Sequence, residues 1–164
     1  MSSTPEIKQV ETHQFGPYKI RTSEVFLSTP LSLAMVNLKP VVPGHVLIIP
    51  RRVALRFQDL SHEEVADIWT LAQRVGSVIE PHFGAVSLTF AIQDGAAAGQ
   101  TVPHVHIHCL PRKMGDFENN DEVYDKIDEH AEQMKERLDL DKERVVRTPD
   151  EMAAEAAELR VLFT

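Results

Sequence analysis

The stretch GQTVPHVHIHCLPRK, residues 99–113, sets His104, His106 and His108 at strict alternate positions, with Val105, Ile107 and Cys109 between them. Successive side chains of a β-strand point to opposite faces. Read as a strand over 102–110, this segment places three imidazoles on one face and turns Val105, Ile107 and Cys109 toward a core. Cys109 on that side reads as a small buried hydrophobe. Pro103 falls near the start of the run, where a missing N–H is tolerated.

Working outward, VSLTFAI (86–92) alternates as a strand, and QDGAAAGQT (93–101) joins it to the histidine run as a small-residue loop. The two runs are expected to pair antiparallel. Upstream, VFLST (25–29), LSLAMVN (31–37) and HVLIIP (45–50) read as strands, with a turn at KPVVPG (39–44). Between them and the histidines, Ser61 and Glu64 form a capping-box signature. Val65, Ile68, Trp69, Ala72, Val75 and Ile79 then recur at helical spacing, and Pro81 is expected to end the helix. Trp69 is expected in the core. Downstream, Thr148 caps a second helix, with Pro149 at its first position and Glu151 closing the box. The order β-β-β-α-β-β-α predicts a single α+β domain with helices packed on an antiparallel sheet.

The chain has 164 residues and a formal net charge of −8. Residues 116–143 hold 12 Asp and Glu against 4 Lys and Arg, and the rest of the chain holds 13 of each sign. The acidic excess therefore lies in one segment. Val123, Ile127, Met134 and Leu138 recur there at roughly helical spacing, and the segment reads as solvated helix or partly disordered chain over 116–147. Residues 1–14 read as a flexible N-terminal arm, and 15–164 as the domain. No basic stripe marks a nucleic-acid binder. No apolar run approaches the ~20 residues needed to cross a bilayer. The polar N-terminus shows no secretion signal, and a lone cysteine fits a reducing compartment, so a cytoplasmic or nuclear location is expected.

Two roles compete for the histidines. Imidazole binds zinc, and His45 could add a ligand. A strand resists that use, because three alternate residues span ~13 Å while zinc needs nitrogens at ~2.0–2.1 Å. The other role divides nucleophilic and acid–base work among the rings, each competent near neutral pH. The loop before them, with Gly95, Gly99, Gln100 and Thr101, favours a phosphate ester or anhydride, since small residues with outward amides can cradle an anion.

The motif HVHIHCL resembles the defining sequence of the histidine triad (HIT) family of nucleotide hydrolases and transferases. LSLAMVNLKPVVPGHVLIIPRR, VSLTFAIQDGAAAGQTVPHVHIHCLPRKMGDF and EMAAEAAELRVLF are similar to its fragile histidine triad branch. LPRK separates that branch from the nucleotide-binding branch, whose activity is phosphoramidase or AMP-lysine hydrolase. The resemblance implies a HIT-like fold with a five-stranded antiparallel sheet and two main helices. It also implies a homodimer with a ten-stranded sheet. The implied activity is asymmetric cleavage of diadenosine tri- or tetraphosphate, with release of AMP.

By resemblance, His106 attacks the α-phosphorus and forms a nucleotidyl-histidine, and His108 contacts the phosphate and helps the leaving group depart. His104 and His45 orient the array. Gln93 bonds near the scissile bridge, and Gly99, Gln100, Thr101 and Val102 cradle the phosphates. Asn37 holds the ribose, and Tyr18 lies near the nucleotide. No protein-ligated metal is implied, and Mg²⁺ or Mn²⁺ accompanies the substrate. A nucleotide sensor with slow turnover is the alternative role.

Overall fold

A computed structural model describes residues 11–136 and 147–164, with the side chains of 130–136 excepted. Residues 1–10 of the expected arm and 137–146 of the acidic segment, Leu138 included, lie outside the described residues, as does the side chain of Met134.

Strands β3 (Val25–Ser28), β4 (Ser32–Val36), β5 (Val46–Pro50), β6 (Ser87–Ala91) and β7 (Ile107–Arg112) form one five-stranded sheet. Its order is β3-β4-β5-β7-β6, and every neighbouring pair is antiparallel. A two-stranded hairpin, β1 (Thr12–Phe15) and β2 (Tyr18–Arg21), precedes it. Helices are α1 (His62–His82), α2 (Glu122–Glu136) and α3 (Pro149–Arg160). The α+β class and the five-stranded sheet match the sequence reading; the hairpin and α2 extend it.

Strand alternation divides the core in two. Ala34, Val36, Val46, Ile48, Ile107 and Cys109 face α1 and α3 and pack with Ile68, Leu71, Val75, Ile79 and Leu159. Fully burying each large aliphatic side chain there contributes about 1.5–3 kcal/mol relative to leaving it exposed. Leu33, Met35, Leu47 and Ile49 face the other way, under Phe15 and Ile20 of the hairpin. Further along that second face, Leu110 packs with Val123 and Ile127 of α2. The hairpin covers one part of this face and α2 another.

Both capping boxes form as expected. Ser61 Oγ accepts from the Glu64 N–H while Glu64 accepts from the Ser61 N–H, and Thr148 and Glu151 repeat the pattern. Four expectations are corrected. Thr12–Gln14 belong to β1 rather than to an arm, because Phe15 and Ile20 bury their side chains and Gly16 and Pro17 turn the chain between them. Gly16 takes φ 55°, the conformation that the first central position of such a turn requires. Pro81 sits inside α1, which ends one residue later, so the bond lost to its missing N–H falls in the last turn. Trp69 is 38% exposed and meets Phe90 edge-on, at the margin of the buried stripe rather than its centre. The acidic segment is not merely solvated, since Val123 and Ile127 of α2 are buried.

Candidate functional site

The histidine run is not one regular strand. The ladder begins at Ile107, so His104 and His106 precede it and only His108 lies within it. Pro103 and the His104 carbonyl's use by a side chain both work against earlier ladder pairing. Val105, Ile107 and Cys109 are buried as expected, Val105 against Ala54 and Leu60 rather than in the main core. All three histidines and His45 are buried.

The hydrogen bonds set the tautomers. Nδ1 of His104 accepts the Gly16 N–H at 2.9 Å, and its Nε2–H donates to the Pro50 carbonyl at 2.8 Å. Nδ1–H of His106 donates to the His104 carbonyl at 2.7 Å, which leaves the lone pair on Nε2. Nδ1 of His45 accepts the Val41 N–H at 3.1 Å, so the His45 proton sits on Nε2. That nitrogen is 3.0 Å from Nδ1 of His108 and donates to it, which places the His108 proton on Nε2. The outcome is one ring with an open Nε2 lone pair beside another whose Nε2 bears hydrogen. Their centroids are 5.1 Å apart and nearly perpendicular. Phe15 lies 5.4 Å from both His104 and His106, edge-on to the latter.

Burial holds the pKa of His104 and His106 below the usual imidazole value, against the raising effect of their carbonyl bonds. His106 is thereby kept neutral, the form able to attack an electrophile. Both nitrogens of His104 and both of His45 are engaged within the chain, so neither ring offers a metal a lone pair in this arrangement. Among the described residues no cluster of three or more His, Cys, Asp and Glu could hold a metal ion.

The other expected residues take the following places. Gln93 follows β6 by two residues, just beyond the last ladder pair, Ala91 with His108. Gln93 Nε2 donates to Asp128 of α2 at 2.5 Å. Asn37 is buried against His45, its Nδ2 3.3 Å from the ring's Nε2, and its Oδ1 accepts the Lys39 N–H. With the His45 proton on Nε2, that amide nitrogen cannot donate to the ring, and the two side chains meet there as a packing contact. In the loop expected to cradle phosphates, backbone amides are engaged within the loop itself. The N–H groups of Gly99 and Gln100 donate to Ala96 and Gly95, and the Gln100 side chain bonds Gly95, Leu55 and Val102. Gln100 thus holds the loop's shape, because its amide satisfies polar groups that the irregular backbone leaves unpaired. Thr101 is half-buried, Val102 is buried beside Phe15, and Tyr18 packs against the same cluster.

Four participants escaped the sequence reading. Phe15 and Gly16 carried a signal in the alternation around FGPY; Pro50 and Asp128 carried none. Arg147 also reaches the site's margin, donating to the Asn37 carbonyl at 3.0 Å and pairing with Glu155.

Known proteins resemble this chain in sequence and in fold. A family model described as HIT domain matches residues 19–115. A bifunctional bis(5'-adenosyl)-triphosphatase/adenylylsulfatase FHIT of Arabidopsis thaliana is 58% identical over 99% of this chain and 88% of its own length. A bis(5'-adenosyl)-triphosphatase of Dictyostelium discoideum is 53% identical over 93% of each chain. The crystal structure of Plasmodium falciparum diadenosine triphosphate hydrolase in complex with Cyclomarin A superposes with TM-score 0.63 at 35% identity, covering 82% of this chain and 92% of that one. The motif, the sheet that carries it and these similarities together make this chain a member of the HIT-domain family.

Proposed function

We propose that this protein is a dinucleoside polyphosphate hydrolase that cleaves diadenosine tri- or tetraphosphate at the α-phosphorus, releasing AMP with ADP or ATP. The carrying observation is the His106 tautomer: a buried neutral ring, proton held by the His104 carbonyl, with Nε2 open for attack. Nε2 forms the N–P bond as the bridging P–O bond breaks, and the leaving nucleotide departs with that oxygen. The ring gains positive charge in this step, and the His104 carbonyl dipole on Nδ1–H stabilises it. His108 donates its Nε2–H to the phosphate oxygens. Water then cleaves the N–P bond, AMP leaves, and His106 returns to its neutral form.

His104 and His45 act as positioning residues. Gln93 and the loop 99–102 face the polyphosphate, with Asn37 and Tyr18 at the nucleoside side. Mg²⁺ or Mn²⁺ arrives with the substrate and neutralises phosphate charge. The same attack requires only an adenylyl group with a good leaving group, and the Arabidopsis relative's name supports adenylyl sulfate as a second substrate.

A homodimer is part of this reading. β6 is an edge strand of the sheet, and Phe90 and Trp69 beside it are each 38% exposed. An unpaired edge with apolar neighbours suits pairing with a second copy into a ten-stranded sheet. Light scattering with size separation reads the mass directly.

The deciding experiment is hydrolysis of each dinucleotide in ¹⁸O-labelled water by the wild type and by His106→Ala. Labelled AMP with unlabelled ADP or ATP, lost in the variant, supports attack by His106. Turnover retained by a pure variant refutes the covalent role. Binding without cleavage by the wild type favours the sensor.

A further inference from the structure

The chain's acidic excess lies in one segment, and one of its carboxylates reaches the site. α2 docks through Val123 and Ile127 on Leu110, which shares a face of β7 with His108. Asp128 follows Ile127 directly, so that docking places its carboxylate at the edge of the loop. Its Oδ1 accepts from Gln93 Nε2 at 2.5 Å. A methyl group added at Gly99 would stand 2.7 Å from Gln93 Nε2 and 3.0 Å from Asp128 Oδ1. Gly99, Gln93 and Asp128 therefore converge in a space that admits no further side chain. Among the described residues the buried Oε1 of Gln93 has no hydrogen-bond partner, and the side chain's hydrogen bond is the one to this carboxylate.

We propose that Asp128 is a specificity-determining residue: its carboxylate competes with the polyphosphate for the Gln93 amide and discriminates against the more highly charged chain. This rests on the reading that Gln93 and Gly99 face the polyphosphate. A carboxylate and a phosphate cannot both take the same N–H, and while the carboxylate stays near, its repulsion grows with the charge of the arriving chain. The tetraphosphate carries one unit more than the triphosphate. One unit charge at roughly 10 Å, in an effective dielectric of about 20–40, changes affinity by roughly 4- to 16-fold. Asp128 is exposed, so the effect is sensitive to salt, with a screening length of about 10 Å at 0.1 M and about 3 Å at 1 M.

The test is Asp128→Asn, which keeps shape and an acceptor for Gln93 while removing charge. kcat/KM is measured on both dinucleotides at low and at 1 M salt, with free Mg²⁺ fixed. Asp128→Ala is run in parallel to remove the acceptor as well. Glu129→Gln is the control, one position along and paired with Lys126 on the surface. The expected result is a rise in the tetraphosphate-to-triphosphate ratio of roughly 4- to 16-fold for both Asp128 variants at low salt. High salt collapses the rise, and Glu129→Gln leaves the ratio in place. An unchanged ratio, or an equal fall on both substrates, overturns the proposal. An equal shift from Glu129→Gln also overturns it, since net charge alone would then suffice. A wild type that cleaves neither compound refutes the hydrolase reading instead. Asp128 is then judged by ADP and ATP binding, where Asp128→Asn must tighten ATP more than ADP.

Discussion

The backbone N–H of Gly16 donates to Nδ1 of His104 at 2.9 Å, across 88 residues of chain. With the Pro50 carbonyl on Nε2, this bond leaves His104 one neutral tautomer. The His104 carbonyl in turn takes the His106 proton. A hairpin at the start of the domain is thus two hydrogen bonds from the proposed nucleophile.

Disturbing the hairpin should therefore lower turnover. Gly16 has φ 55°, and a Cβ there would lie 3.0 Å from Val102 Cγ1. Gly16→Ala is expected to cost about 1–2 kcal/mol of stability and to reduce kcat about 10-fold or more, with a smaller change in KM. Phe15→Ala, which removes a buried ring from both His104 and His106, is expected to cost about 3–5 kcal/mol. Urea melts and steady-state kinetics on each variant provide the check.

The pH dependence follows from burial. His104 and His106 have folded-state pKa values below the unfolded imidazole value, so the unfolded chain binds more protons in the interval between the two. Their contribution to stability is present above about pH 6.5 and is lost as pH falls below it toward the lowered folded values. The acid limb of kcat/KM should also lie below pH 6.5, since attack needs neutral His106. A limb at or above the ordinary imidazole value would contradict the assignment. Urea midpoints between pH 8 and 5 test the stability part.

His45 sets the His108 tautomer through a 3.0 Å bond. His45→Phe retains much of the ring's volume and removes the donor, so His108 can carry its proton on Nδ1. The expected outcome is a fall in kcat of about 10-fold or more with nucleotide binding largely retained. Isothermal titration beside turnover assays separates the two.

Cys109 offers a probe of the core behind the site. Its thiol is fully buried against α1 and α3, and burial pushes its pKa up to about 12. An aromatic disulfide reagent at pH 8 should modify it only as fast as the domain opens, and urea should accelerate labelling in step with unfolding. Fast labelling of the folded protein would show that the sheet opens locally near the triad.

The readable parts of the molecule were those with local causes. The boxes at Ser61 and Thr148 depend on residues three apart, and both formed. The apolar runs at 31–37 and 45–50 marked two strands, and the fold then assigned their alternate residues to opposite faces of the sheet. Trp69 failed because helical spacing defines a stripe but not its margins, and the buried centre runs through Ile68, Leu71, Ala72, Val75 and Ile79. The strand at 102–106 failed because alternation alone cannot show whether a ladder partner exists, and pairing with β5 and β6 reaches only to Ile107 and His108.

Sequence alone determined the sheet's strands, the buried stripe of α1, and the grouping of three imidazoles beside a small-residue loop, because each follows from side-chain periodicity and backbone propensity within a short window. Tertiary structure decided which nitrogen of each ring holds a proton, since the partners are Gly16, Pro50, Val41 and His45, far along the chain or on other elements. It also decided that Gln100 shapes the loop and that Asp128 meets Gln93. A hydrogen bond depends on positions within a few tenths of an ångström, and for groups distant in sequence only the packed fold supplies them.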